Sequence, residues 1–484
     1  MFIILLDIHF FSMNKYFNLG VLFFLVATIS NAQSVFFNDS VLVQTKMWSR
    51  DSNRKIQYSD WKSFPSHTVE MLDGFIPEKK IKLSKYGGDA SIKLNASGFF
   101  RTEKISGRSY VIDPDGHPFI VSAMNSFRQG KSPNNEKAFN EKFGSVDKWA
   151  STSIQTFQKS GFNTAGSWSE IGPIIQFNKT AKQPFAYTTQ LSLLSGYIRS
   201  AIKKTPARKD APALSFILDD EFSIYCDEQA QKLGETKNDA NLLGHFSDNE
   251  IAFMHTEFKD LLAIADSSDK CLIAVKQWMT NKGVDEKTIS REQKEEFIGM
   301  LTGIYYKIVS SAIKKYDPNH LYLGSRLHSS AKNNKYIFAS AEPYVDVISI
   351  NYYGYWQPQQ KDISDWVNWS NKPFFITEFY TKAEDSGMPN ISGAGWLVKT
   401  QADRGIHYQN FALNLLMAKN CVGWHWFRYQ DNDPNDPTAD PSNNDSNKGI
   451  VNTQYQVYEI LAEKMKSIND KKYQIIKYFD SFKK

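Results

Sequence analysis

Two short apolar stretches each run into a single glutamate, and paired glutamates are the groups that hydrolysis of a glycosidic bond requires. The stretch 244–250 ends on Glu250, and the stretch 374–379 carries Glu378. In that reaction one carboxyl protonates the leaving oxygen while the other attacks the anomeric carbon. Carboxylates at the ends of buried barrel strands can face each other across one pocket. We therefore expect a sugar-cleaving enzyme with Glu250 as acid/base and Glu378 as nucleophile.

The two carboxyls must differ in their readiness to hold a proton. Burial against aromatic rings raises the pKa of a carboxyl, whereas hydrogen bonds and nearby positive charge lower it. We expect burial against aromatic rings to raise the pKa of Glu250. We expect hydrogen bonds or nearby positive charge to hold the pKa of Glu378 down.

Strand-like apolar runs alternate with helical stretches from about residue 118 onward, which is typical of βα units in a parallel barrel. The predicted fold is α/β, a (β/α)8 TIM barrel with a short β-containing N-terminal lead-in. Apolar residues at helical spacing predict helices over 222–233, 297–315 and 401–419. The eight strands are predicted near 118–125, 161–168, 214–219, 242–249, 321–326, 345–353, 373–379 and 422–427. For the third of these strands, at 214–219, the stretch 184–193 is an alternative.

The N-terminal sequence is typical of an export signal. A lysine at position 15 precedes an apolar run over 16–27 and small residues at 30–32, and that run is short for a membrane span. A periplasmic or secreted protein is therefore expected, with no membrane association after cleavage. A hairpin is predicted over 99–118, around Ser106 and Gly107. The predicted divisions are a signal peptide over 1–32 with 1–12 as a candidate misread start, a lead-in and hairpin cap over 33–117, the catalytic barrel over 118–470 and a C-terminal tail over 471–484.

Composition narrows the classes of function. The chain has 34 Phe, 23 Tyr and 11 Trp and a formal net charge of only +5, which argues against disorder and against a nucleic-acid surface. Cys226, Cys271 and Cys421 are odd in number and widely spaced, so neither a disulfide framework nor a thiolate zinc site is indicated. His245 is expected to be buried and hydrogen-bonded, and the histidine spacings match no metal motif. No cofactor and no metal are expected, and the predicted partner is a polysaccharide or oligosaccharide.

Further residues at the carboxyl ends of the predicted strands are candidates for substrate binding. Asn249 is placed to bond a sugar hydroxyl, with a strand-end cap as the alternative. Tyr352 or Tyr353, with Arg326, is placed to orient Glu378, although core packing explains tyrosines there as well. Tryptophans are suited both to stacking on sugar rings and to barrel packing. The predicted substrate-binding residues are Asn125, Trp168, Asn249, Arg326, Asn351, Tyr352 and Trp426.

Several phrases of the sequence resemble those of the glycoside hydrolase family 50 β-agarases, in the same order, over about residues 98–465. They are GRSYVIDPDGHPF (107–119), GFNTAGSWS (161–169), LGHFSDNE (243–250), YLGSR (322–326), ITEF (376–379) and GWHWFRYQ (423–430). The resemblance implies a retaining (β/α)8 hydrolase of a β-linked algal galactan. It also implies an acid/base that follows an Asn on strand four and a nucleophile that ends strand seven, which transfers those roles onto Glu250 and Glu378.

The sequence departs from the family pattern at several points. Thr377 stands where a Gly is usual before the nucleophile, the lead-in is short, and the loop 380–395 differs. Agarose and related porphyran- or carrageenan-type galactans therefore stay open as substrates, as does another β-linked glycan. A barrel that binds polysaccharide without cleaving it is the competing class. An isomerase or aldolase would need a Schiff-base lysine, a phosphate loop or metal ligands at strand ends, and none is evident.

Overall fold

The structure is a computed structural model that describes residues 36–51, 56–78, 81–440 and 443–482, so the predicted export signal lies outside the described residues. The strands are β1 (Val41–Lys46), β2 (Trp48–Arg50), β3 (Ile56–Tyr58), β4 (Lys62–Ser66), β5 (Arg101–Ile105), β6 (Arg108–Ile112), β7 (Pro118–Phe119), β8 (Val121–Met124), β9 (Thr164–Ala165), β10 (Ala186–Gln190), β11 (Leu242–Phe246), β12 (Leu321–Tyr322), β13 (Arg326–Leu327), β14 (Ile348–Asn351), β15 (Phe374–Phe379), β16 (Thr381–Ala383), β17 (Trp396–Val398) and β18 (Cys421–Trp426).

Helices lie between most of the strands. Several begin with a side-chain cap: Ser290 and Gln293 form a capping box, and so do Thr400 and Asp403. None of the helices within the described ranges is long and apolar enough to cross a membrane. The helices are α1 (Pro133–Lys142), α2 (Val146–Lys159), α3 (Ile171–Asn178), α4 (Leu193–Lys204), α5 (Asp220–Ala230), α6 (Glu257–Leu262), α7 (Lys270–Lys282), α8 (Arg291–Tyr316), α9 (Lys335–Ala341), α10 (Gln360–Ser370), α11 (Gln401–Met417), α12 (Glu459–Asn469) and α13 (Lys472–Ser481).

Nine strands form one sheet in the order β12-β11-β10-β9-β8-β18-β15-β14-β13, and all of its pairings are parallel. The two outer strands, β12 and β13, are parts of one stretch, 321–327. Within this stretch the Leu323 amide donates to His245 O at 2.9 Å, and the Arg326 amide donates to Asp248 O at 3.1 Å. Because the strands are parallel, their carboxyl ends lie on one side of the sheet. The α/β class with a parallel sheet is confirmed.

One predicted strand is wrong. The stretch 213–218 forms a 3-10 helix, and the third strand of the sheet is β10, inside the alternative stretch 184–193. Leu214 and Phe216 are fully buried in that 3-10 helix. A short apolar run is equally consistent with a buried strand and a buried helical turn, so hydrophobicity alone could not separate them. The other seven predicted strand regions contain strands, and the three predicted helices are present as α5, α8 and α11.

Side chains from the strands of the parallel sheet form a buried apolar cluster. Val121, Leu243, Leu323, Val347 and Phe375 are fully buried there. The predicted hairpin is formed by β5 and β6, which pair antiparallel. Its residues Phe100 and Val111 belong to the same buried cluster. The hairpin therefore packs against the strands at the end opposite to the one where Glu250 and Glu378 lie.

A second, smaller sheet joins the N-terminal segment to the chain that follows β15. Its order is β16-β17-β1-β4, and β1 pairs antiparallel with both β17 and β4. Val43, Trp356 and Trp396 form a buried cluster with it. The neighbouring ribbon of β2 and β3 brings Trp48 and Ile56 to the carboxyl-end side of the parallel sheet. The lead-in is thus built into the structure around the site.

Candidate active site

A cavity of about 760 Å³ opens at the carboxyl ends of the parallel strands. Both predicted catalytic glutamates line it, together with Trp168, Asn249 and Tyr353. These residues follow or end different strands, and parallel packing brings them together although they are far apart in sequence. The arrangement places two carboxyl groups, an aromatic surface and an amide around a single concave space.

The Glu378 side chain is held from both of its oxygens. It lies on β15 and is only 6% exposed. Arg326 Nη2 donates to Glu378 Oε1 at 2.5 Å, and the Tyr353 hydroxyl donates to Oε2 at 2.7 Å. These donors fix the plane of the carboxylate. Of the two tyrosines considered from the sequence, Tyr353 is the one that contacts Glu378.

The expectation that positive charge holds the pKa of Glu378 down is wrong. Burial raises the pKa of Glu378 above its ordinary value, the Arg326 guanidinium opposes that rise, and the charge of Glu250 adds to it. The hydrogen bonds from Tyr353 and Arg326 also favour the ionised form. Desolvation outweighs the guanidinium and the hydrogen bonds because Glu378 is almost completely buried. A sequence pattern does not indicate that depth.

Arg326 is a fully buried cation whose main polar contacts are with the segment that carries Glu378. Besides Glu378, its Nη2 donates to the Thr377 carbonyl at 3.1 Å. The guanidinium lies 5.9 Å from the ring centroid of Trp168 and 5.7 Å from that of Phe246. A buried charge needs such a partner and such packing because desolvation is costly.

Glu250 lies in a different environment. Its φ of +52° is in the left-handed region, and the Trp168 φ is +65°. Non-glycine residues rarely adopt this conformation, and they concentrate at functional sites. The Glu250 carboxyl faces the cavity, where Asn351 Nδ2 donates to Oε1 at 2.8 Å. His328 Nδ1 lies 4.0 Å from the same oxygen. The turn directs Glu250 away from its strand and into the open space.

A short hydrogen-bond chain connects the two glutamate-bearing segments. The Thr377 hydroxyl donates to Asn351 Oδ1 at 2.8 Å, and Asn351 Nδ2 donates to Asn249 Oδ1 at 3.1 Å as well as to Glu250. A glycine at position 377 could not make the first of these bonds. The departure from the family pattern at Thr377 therefore has a physical consequence, because it fixes which end of the Asn351 amide faces Glu250.

The remaining predicted substrate-binding residues fall into two groups. Asn125 and Arg326 lie behind the cavity, where Asn125 Nδ2 donates to the Thr377 carbonyl at 2.7 Å. Tyr352 and Trp426 are directed elsewhere, with the Tyr352 hydroxyl bonded to Asp362 and Trp426 Nε1 bonded to the Lys448 carbonyl. Within the described chain, neither Tyr352 nor Trp426 is among the residues that line the cavity.

Several lining residues were not predicted from the sequence. They include Trp48, Arg128, Tyr380, Arg428 and Lys448. Arg128 and Arg428 lie a few residues beyond β8 and β18, so extending the strand-end rule into the following loops would have found them. Trp48 comes from the lead-in and Lys448 from a long loop, where no periodic pattern indicates position.

Among the described residues, one group of side chains could hold a metal ion by its composition. His245, Asp317 and His320 are buried, and their ligand atoms lie within 4.8 Å of one another. His245 Nε2 and His320 Nδ1 both contact Asp317 Oδ2, at 2.8 and 2.7 Å. The other ring nitrogens contact Thr189 Oγ1 and the Asp239 carbonyl. Every ring nitrogen in this group already has a protein partner, as expected for His245.

Several known proteins are similar to this chain in sequence or in fold. No family model matches the chain. β-Agarase B of Vibrio sp. (strain JT0107) is 25% identical over 81% of this chain and 50% of its own length, so the chain spans about half of this relative. The solved structure of an agarase, AgWH50C, shares the fold with a TM-score of 0.67 at 21% identity, over 82% of this chain and 67% of that one.

A further solved structure is considerably closer in sequence. BpGH50 matches with a TM-score of 0.81 and 33% identity, over 91% of this chain and 96% of that chain. The match therefore extends over both the parallel sheet and most of its surroundings. On this similarity, the chain belongs to glycoside hydrolase family 50.

Proposed function

We propose that this chain is a retaining β-glycoside hydrolase that cleaves a β-linked algal galactan, agarose or a related polymer, by double displacement. The observation that carries the proposal is that Glu250 and Glu378 line one cavity in contrasting environments. Glu378 is buried and held at both oxygens, whereas Glu250 is exposed to the cavity and bonded at Oε1. The relatives of this chain include proteins named as β-agarases.

In the first step a Glu378 oxygen attacks the anomeric carbon and the glycosidic bond breaks, while Glu250 gives its proton to the leaving oxygen. Asn351 donates to Glu250 Oε1, which leaves Oε2 to carry that proton. In the second step Glu250 takes a proton from water, the water oxygen attacks the same carbon, and Glu378 is released. Arg326 and Tyr353 keep Glu378 in place through both steps.

The raised pKa of Glu378 has a consequence for the pH dependence. The nucleophile must be ionised, so activity is expected to fall on the acid side as Glu378 becomes protonated. Because burial raises that pKa, the fall begins at a higher pH than for an ordinary glutamate. In the free enzyme, the pH profile of kcat/KM measures this limb.

We also propose that the parallel sheet closes as an eight-stranded (β/α)8 barrel. Support comes from the stretch 321–327, which supplies both outer strands and hydrogen-bonds to β11 on one side and β14 on the other. The catalytic barrel then covers 118–470, after a lead-in over 33–117 and before a C-terminal segment over 471–484. The export signal predicted over 1–32 supports a periplasmic or secreted enzyme.

The stereochemistry of the product tests the mechanism. With agarose oligosaccharides as substrate, proton NMR during the first minutes is expected to show the β-anomer of the new reducing end before mutarotation. Initial appearance of the α-anomer would establish inversion instead. Absence of new reducing ends from agarose, porphyran and carrageenan oligosaccharides alike would favour the polysaccharide-binding alternative.

The Thr377 hydroxyl supplies a further prediction. Thr377→Val keeps the shape of the side chain but removes the donor to Asn351 Oδ1, so the Asn351 amide is no longer fixed toward Glu250. We expect kcat to fall by about tenfold, the equivalent of roughly 1.4 kcal/mol. Thr377→Ser is the matched control, because it retains the hydroxyl and should stay near the wild-type rate. Equal rates for the two variants would contradict a role for this bond.

A further inference from the structure

Three basic side chains that line the cavity come from the segments that follow β8 and β18 and have no part in the proposed mechanism. They are Arg128, Arg428 and Lys448. Arg428 follows β18, Arg128 follows β8, and Lys448 lies in the loop after β18. Since β8 and β18 are neighbours in the sheet, the two arginines are brought together at the same end of it. They form what we term the basic patch: Arg128, Arg428 and Lys448.

Arg428 is almost completely buried at the wall of the cavity. It is 8% exposed, and its buried Nε has no hydrogen-bond partner. Burial lowers the pKa of Arg428 to about 10, with a further contribution from the charge of Arg128. The charges of Asp431 and Asp436 act in the opposite direction. Those two carboxylates are bonded to other groups, however, among them the Gly449 amide and the Lys131 amide.

Lys448 is also buried and is 1% exposed. Its ammonium lies 5.4 Å from the ring centroid of Tyr380 and 4.9 Å from that of Phe427. Burial and the charge of Arg428 lower its pKa well below the ordinary value, while the charge of Glu378 raises it. The charges of Arg428, in the basic patch, and of Glu378, the nucleophile, therefore both act on the Lys448 ammonium. Among the described residues, no carboxylate forms an ion pair with Lys448 or with either arginine of the patch.

An unpaired buried cation is costly, by several kcal/mol per ion after relaxation. Cation–π contacts with Tyr380 and Phe427 offset only part of that cost. The cavity wall also carries three carboxyl groups: Glu378 is paired with Arg326, Glu250 accepts from Asn351, and the charge of the exposed Asp440 raises the pKa of Lys448. Retaining such cations at the wall of a cavity is favourable when the ligand brings an anionic group that pairs with them.

We propose that the basic patch is a subsite for a sulfate ester on the sugar ring nearest Glu378, so that the preferred substrate is a sulfated galactan and not neutral agarose. This inference rests on the proposed function, because it takes the cavity as the site of cleavage. A sulfate ester keeps its single negative charge throughout the working pH range and presents three terminal oxygens. Two guanidinium groups and one ammonium can each donate to those oxygens.

Binding to an inactive variant tests the subsite separately from catalysis. In Glu378→Gln, calorimetry should show a sulfated porphyran oligosaccharide binding at least tenfold more tightly than the same oligosaccharide after chemical desulfation. Adding Arg428→Gln should abolish most of that preference. Adding Lys332→Gln, a basic residue elsewhere on the cavity wall, should preserve it. Equal or weaker binding of the sulfated form would overturn the proposal.

Three further measurements keep the outcome clear. If the Arg428 variant fails to fold, inorganic sulfate should compete with the sulfated oligosaccharide for Glu378→Gln more strongly than chloride does at equal ionic strength, and equal competition would overturn the proposal. A uronic-acid oligosaccharide that binds as tightly as the sulfated one would overturn the assignment to sulfate. Cleavage of neutral and sulfated substrates at equal kcat/KM would overturn the subsite but leave the hydrolase, whereas cleavage of neither would refute the hydrolase.

Discussion

Glu378→Gln is expected to lower kcat on galactan oligosaccharides by more than about 10⁴-fold, since glutamine cannot form the glycosyl-enzyme bond. Glu250→Gln should lose about 10²–10⁴-fold, the usual contribution of general acid–base catalysis. The fold should survive both changes because the amide has almost the shape of the carboxyl. Circular dichroism and the urea midpoint verify this before rates are compared.

Azide distinguishes the roles of the two residues. With an aryl β-galactoside, whose leaving group needs no proton, the Glu250 variant should still form the glycosyl-enzyme, and azide should release it as the β-glycosyl azide. The Glu378 variant should give the α-glycosyl azide, because azide then attacks in place of the missing nucleophile. Interchange of the two products would reverse the assignment, and near-wild-type turnover by Glu378→Gln would end it.

Arg326→Met is expected to lower the free energy of unfolding by about 3–5 kcal/mol at neutral pH, because it leaves the Glu378 carboxylate buried without its cation. The guanidinium opposes the rise in the Glu378 pKa, so its removal should raise that pKa further. The acid limb of the kcat/KM profile should therefore move to higher pH. The loss of stability should also grow as pH rises through the Glu378 pKa, since only the ionised carboxylate needs the cation.

A double variant separates charge from packing. Arg326→Met with Glu378→Gln removes both charges, so it should be more stable than Arg326→Met alone. Urea unfolding at two pH values measures the difference. If the double variant were as unstable as the single one at both pH values, lost packing against Trp168 and Phe246 would explain the effect instead. Arg326→Lys keeps the charge and should shift the acid limb less than Arg326→Met.

The sequence was sufficient for the parts of the site that follow a local rule. Glu250 and Glu378 each come at the end of an apolar run, and the strands β11 and β15 occur where these runs predict them. A local rule could not decide whether Tyr352 or Tyr353 contacts Glu378. Adjacent residues at a strand end point to opposite sides, and an error of one residue in the predicted end exchanges them. The structure gives the contact with Glu378 to Tyr353.

Other features depend on tertiary structure. The left-handed backbone of Glu250 cannot be deduced from its residue type, since glutamate has no preference for that conformation. The depth of Glu378, which sets the direction of its pKa, depends on everything packed around β15. Trp48 reaches the cavity through pairing between β1 and β17, which join distant parts of the chain. No window of neighbouring residues contains that information.

The pairing of β8 with β18 constrains how the protein can fold. β8 is the first strand of the parallel sheet along the chain and β18 is the last, and Met124 lies opposite Trp426. Contacts of such large sequence separation form late and slowly, because a long loop must close before they gain any energy. The cavity can therefore assemble only after most of the polypeptide has been synthesised. A nascent chain is expected to remain without hydrolytic activity until that closure.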